Sequence, residues 1–139
     1  MTLTMPPDLA EKLGRVQEQL QQGSRDAIAA RNRWQTLEAA TGELADRLTA
    51  IDSEVRQLRE NGARRCVGTP DAAETVAGEV AEAIERLLNT RQLLEVKLPI
   101  RLRAAELAKF EYVAADQSLN ELRAQQTRVM QAAGRRVIR

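Results

Sequence analysis

Cys66 is the one residue in this chain with the makings of a strong nucleophile, and it follows two cations, Arg64 and Arg65. Adjacent positive charge stabilises a thiolate, so the setting favours reactivity. A cysteine nucleophile also needs a base within reach, and the chain has no histidine. Cys66 therefore reads as an exposed loop thiol. Glu79 and Glu82 have the side chains for general acid–base work. They fall on a solvated helix face with no cleft to hold a substrate. The segment GARRCVG has neither the spacing nor the lysine of a phosphate-binding loop. One cysteine without histidine cannot build a structural zinc site or an intramolecular disulfide. No catalytic, cofactor or metal site is expected, and the chain does not read as an enzyme.

Two other groups of residues carry physical chemistry. From Leu122 to Arg139 there are five arginines, Arg123, Arg128, Arg135, Arg136 and Arg139, and no acid. Such charge suits a helix C-terminus. It is also the minimum footprint of an electrostatic binder of nucleic acid or an acidic partner. Interleaved stacking aromatics are missing, which makes nucleic acid the weaker of the two. The second group is Leu93 to Ala114, the most apolar run in the chain despite Pro99.

The elements that position these residues are helical. Ala, Leu, Glu, Arg and Gln dominate, all good helix formers. Trp34, Phe110 and Tyr112 are the only aromatics, too few for an ordinary globular core. That composition indicates long helices or coiled coil. The formal charge of +1 gives no overall attraction to nucleic acid or membrane. No run approaches the ~18 apolar residues of a membrane span. The first residues lack the basic-then-apolar pattern of a secretory signal. A cytoplasmic protein is the expectation.

Residues 1–6 read as a tail. Pro7 and Asp8 suit the first turn of a helix spanning 7–62. Apolar or small residues then recur in a 4-3 rhythm from Leu9 through Leu13, Val16 and Leu20 to Leu58. About seven heptads in one phase argue coiled coil. Gly62 reads as the left-handed residue that ends the helix. Residues 63–69 form a tip loop, and Thr69-Pro70-Asp71 starts a second helix over 70–134. Residues 135–139 form a basic tail.

The second helix has its own 4-3 rhythm, from Ala73 and Ala77 through Leu94 and Leu98 to Leu119 and Leu122. Folding the chain at the loop gives facing pairs whose numbers add to 131 or 132, among them Leu58–Ala73, Trp34–Leu98 and Leu20–Tyr112. This register sets Gly23, Ala27 and Ala30 opposite Ala108, Ala105 and Arg101. It leaves Arg91 and Arg101 on the seam with their charges reaching the edge. A near-constant sum is what two antiparallel helices of equal rise require. The expected fold is all-α, a long antiparallel two-helix coiled-coil hairpin with its second helix kinked at Pro99. The alternative is a three-helix bundle broken at Pro99, since an interior proline costs about 3 kcal/mol. The rhythm crosses Pro99 without a skip, which favours the hairpin.

On a helical wheel the seam of the second helix lies within about 40° of one direction. Leu93, Val96, Ile100, Leu107, Phe110 and Ala114 cluster on the opposite side, with Arg103 among them. Left in water this would be an unusual apolar patch for a monomer. The stripe is therefore expected to bind a protein partner or to self-associate. In length, hairpin form and basic end the chain resembles the stalk proteins of type III secretion and flagellar export ATPases. It is similar in outline to some export chaperones and to phage assembly or scaffolding proteins. No motif accompanies that likeness, which implies only a role in building a larger machine. The functional expectation is a structural or adaptor coiled coil in such an assembly, acting through the stripe. The alternative is electrostatic binding through the arginines.

Overall fold

A computed structural model describes residues 6–138, with side chains described for 6–134. Most of the expected N-terminal tail, the side chains of Arg135 and Arg136, and Arg139 lie outside the described residues. The fold is an all-α antiparallel helical hairpin with no strand among the described residues: α1 spans Pro7–Arg65 and α2 spans Pro70–Ile138.

Local chemistry sets the ends. The Pro6 carbonyl accepts hydrogen bonds from the Leu9 and Ala10 amides at 3.1 and 2.9 Å, and Asp8 sits in the first turn. α1 runs three residues beyond the expected stop at Gly62, closing with Arg64 and Arg65 in its last turn. Gly62 does not adopt the left-handed conformation; the positive φ, 119°, belongs to Gly68. The turn is thus made later and tighter, by residues 66–69, with the Cys66 amide still bonded to the Gly62 carbonyl at 3.1 Å. Thr69 caps α2. Its hydroxyl oxygen accepts from the Ala72 amide at 3.3 Å and its carbonyl from Ala73 at 3.0 Å.

α2 continues through Pro99 without a break, so the three-helix alternative does not form. Pro99 is exposed. The Glu95 carbonyl deprived of its donor lies one turn back on the same side, where water can satisfy it.

The chain divides into two compact units, Leu37–Ala105 and the remainder, Met1–Thr36 with Glu106–Arg139. In the unit Leu37–Ala105, Leu44, Leu48, Ile51, Val55 and Leu94 form the buried core, with Ile84, Leu87 and Leu98 packed against it. Thr41 is buried in the same unit and donates its hydroxyl to the Leu37 carbonyl at 2.8 Å, so its side chain is satisfied. A Cβ on Gly62 would lie 3.0 Å from Cγ2 of Val80, so glycine there permits close approach of the two helices. Arg91 is half-buried at the seam. It donates to both carboxylate oxygens of Asp52, at 2.6 and 3.4 Å, and to Glu95 one turn along α2. The other unit buries Leu9, Val16, Ala27, Ala30, Ala108, Leu119 and Ala133. Trp34 stacks on Tyr112 with centroids 5.7 Å apart, and Lys109 Nζ lies 5.8 Å from the Trp34 ring centre.

These contacts correct the expected register. The facing numbers add to 142 for Gly62 and Val80, 143 for Asp52 and Arg91, and 146 for Trp34 and Tyr112. Trp34 therefore meets Tyr112 rather than Leu98. A Cβ on Gly23 would meet Leu119 and Leu122 at 3.4 and 3.5 Å, rather than Ala108. Counted from the expected 131 for the closest of these, the partner is displaced by 11 residues, three helical turns. A 4-3 pattern repeats every seven residues, and from one of its two seam positions a step of 4, 3 and 4 lands on the seam again, so spacing alone does not separate the two offsets. The observed offset is distinguished by volume and charge. It sets glycines opposite Val80 and the two leucines, and it gives Arg91 an acid across the seam.

Candidate functional site

The described residues among those expected to carry function are on α2. In the unit Leu37–Ala105, Leu93, Val96 and Ile100 point away from α1. In the other unit, Leu107 and Phe110 do the same, and all five expose between 61% and 68% of their surface. Ala114 is exposed as well. Their spacing along one uninterrupted helix explains this. The seam residues Leu94, Leu98, Ala105, Ala108 and Tyr112 occupy the opposite side, and α1 buries or half-buries each of them. Leu102 and Val113 are also exposed, at the margin of the stripe. Glu106, Lys109, Phe110 and Val113 line a depression of about 250 Å³ around the Phe110 ring. The charged residues between Leu93 and Ala114 are Glu95, Lys97, Arg101, Arg103, Glu106, Lys109 and Glu111. Glu111 lies 3.8 Å from Arg33, both strongly exposed, a contact of little energetic weight.

The basic end is placed in part. Arg123 donates to the Asn120 side chain at 3.3 Å. Arg128 joins Lys12, Arg15 and Gln19 of α1, with Gln125, around a groove of about 340 Å³ floored by Val16 and Val129. Arg15 is held by Glu11 at 2.6 Å. Lys12 and Arg15 were not anticipated as members of this group. Only the true register brings Arg15 beside Arg128; in the expected one they are 11 residues apart.

Asp52 and Arg91 perturb one another electrostatically. The hydrogen bond from Arg91 holds the Asp52 carboxyl below its ordinary value, and the same bond raises the guanidinium. This is structural pairing on the seam. Cys66 is exposed, with its thiol 3.8 Å from the Ala73 carbonyl. Among the described residues no cluster of three or more His, Cys, Asp or Glu side chains could hold a metal ion. No helix of the described residues is long and apolar enough to cross a membrane.

The protein is thus an all-α helical hairpin, and in each of its two units α2 exposes large apolar side chains. Comparison with known protein families, curated proteins and solved structures finds no match for this chain.

Proposed function

We propose that this protein is a non-enzymatic structural or adaptor coiled coil, a component or chaperone of a larger assembly, that works by burying the outer face of α2 against protein. The observation that carries the reading is the exposure of Leu93, Val96 and Ile100 in one unit and of Leu107 and Phe110 in the other, all on α2 and at spacings that belong to one side of a helix. Isolated exposed leucines are ordinary on a monomer, but an ordered row of this kind marks an interaction surface. Phe110, Leu107, Ile100 and Val96 are the anchors, since large apolar groups at an interface centre carry most of the binding energy. Ala114 closes the row with a small residue. The test is capture from native lysate with wild type and the double variant Phe110→Arg, Leu107→Arg, with mass measured on both. Loss of partner or oligomer in the variant alone supports the reading; unchanged capture and unchanged mass refute it.

The groove lined by Lys12, Arg15 and Arg128 favours a second reading, electrostatic binding of an acidic partner or nucleic acid at the basic end. Truncation after Ala133 removes Arg135, Arg136 and Arg139. Under this reading binding weakens on truncation, and its salt dependence becomes shallower. Under the first reading binding is unchanged.

A further inference from the structure

We infer that the occupant of the outer face of α2 is a second copy of α2, running antiparallel. This rests on the docking-face reading above and names the partner.

The argument starts from the spacing of the stripe. In an antiparallel coiled coil the core is built of layers in which each residue meets one at a fixed sum of numbers. Taking that sum as 203 sets Leu93 against Phe110 of the second copy, Val96 against Leu107, and Ile100 against Arg103; the reverse three layers follow by symmetry. Asn89 then meets Ala114 at each end. One heptad lower, at 196, the layers would put Leu107 on Asn89 and Phe110 on Arg86. One heptad higher, at 210, Leu93 would meet Gln117. Only the middle register matches every large apolar residue except Ile100 with another. Arg103 is the one charged member of the row. Its stem lies on Ile100 beside the two-fold axis, with Glu106 one turn along its own helix. A single polar residue at such a position fixes register and orientation at some cost in affinity.

The flanking charges decide orientation. Antiparallel pairing brings Lys97 alongside Glu111 of the second copy, and symmetry repeats the pair. Lys97 has no ion-pair partner among the described residues, and Glu111 has only the 3.8 Å contact to Arg33. A parallel pairing in register would instead place Arg103 on Arg103 and Glu106 beside Glu111, both repulsive. Among these pairings of the row with itself, the antiparallel one at 203 is the complementary one.

Size sets the expected strength. Five side chains with on the order of 100 Å² of exposed apolar surface apiece, plus the flanking stems, bury roughly 1,000 Å² over both copies. That is the lower bound for a specific interface, so dissociation on the order of micromolar is expected.

The experiment is sedimentation equilibrium on the full chain from about 0.1 µM to 100 µM, the range that brackets this affinity. Wild type is expected to pass from monomer to dimer. Lys97→Glu and Glu111→Lys each replace two attractive pairs by repulsive ones, and each should raise the dissociation constant about 5–10-fold. The double charge swap should return it toward the wild-type value. All these positions are exposed, so helicity by circular dichroism should be unchanged. A chain that remains monomeric throughout overturns the proposal. So does a dimer strengthened by Glu111→Lys and indifferent to Lys97→Glu, the parallel signature. If the chain is monomeric yet Phe110→Arg, Leu107→Arg abolishes capture of another protein, self-association falls while the docking-face reading stands. If that variant changes neither mass nor capture, both fall.

Discussion

Gly62→Ala is the sharpest probe of how the two helices face each other. In an exposed helix interior this change stabilises by about 0.8–1 kcal/mol, because glycine has more backbone freedom to lose. Here the added methyl would stand 3.0 and 3.2 Å from the two γ-carbons of Val80 and 3.5 Å from its Cβ. Both γ-contacts are closer than comfortable packing. A β-branched side chain in a helix is nearly locked at χ1, so Val80 cannot rotate clear. Overpacking of this kind costs about 1–3 kcal/mol. The two effects combine to a variant between about 0 and 2 kcal/mol less stable than wild type. In a Val80→Ala background the obstacle is gone, and the same change should stabilise by about 1 kcal/mol. The coupling between the two positions is then about 1–3 kcal/mol, well within the resolution of a double-mutant cycle. The assay is urea unfolding followed at 222 nm for the four proteins, at one low concentration so that association does not contribute. Equal gains from Gly62→Ala in both backgrounds would refute the contact and the register built on it.

Two further predictions test the seam elsewhere. Asp52 is held below its ordinary carboxylate value of 3.8 by its hydrogen bond to Arg91. A depressed folded-state pKa contributes stability that is present above the unfolded value and lost as pH falls through the folded one. The difference in urea midpoint between wild type and Asp52→Asn should therefore be flat from pH 7 to about 5 and shrink below about pH 4. A difference that grows on acidification would contradict the pairing. Trp34 is the single tryptophan and stacks on Tyr112, so Tyr112→Ala should shift its emission and cost about 0.5–1.5 kcal/mol beyond the lost burial. Leu98→Ala, its expected partner from the sequence pattern, should leave the emission unchanged.

Much of this protein is legible from the sequence. Thr69-Pro70-Asp71 announced the start of α2, and the cap is made by the Thr69 hydroxyl as such a triplet implies. Glycine commonly terminates helices, which puts the expected end of α1 at Gly62. That residue instead serves close packing against Val80, a demand that local propensity does not record. Continuity through Pro99 was legible too, since an exposed proline removes one hydrogen bond while the seam pattern on both sides ties the helix to its neighbour. The outer stripe could be found from spacing alone, because the side of a helix opposite its seam is fixed by 100° steps.

What the sequence determined by itself is that the chain forms two long helices, which face of each is apolar, and which apolar face is left over from the hairpin. These are one-helix properties, fixed by propensity and periodicity. Which residue meets which across the seam was decided only by tertiary structure. A 4-3 repeat returns to itself after every few residues, so many offsets bury the same faces equally well. The choice among them depends on the fit of Gly23 to Leu119 and Leu122, of Gly62 to Val80, of Trp34 to Tyr112, and of Arg91 to Asp52. Volume and charge matching are properties of pairs, and no pair exists until the helices are brought together.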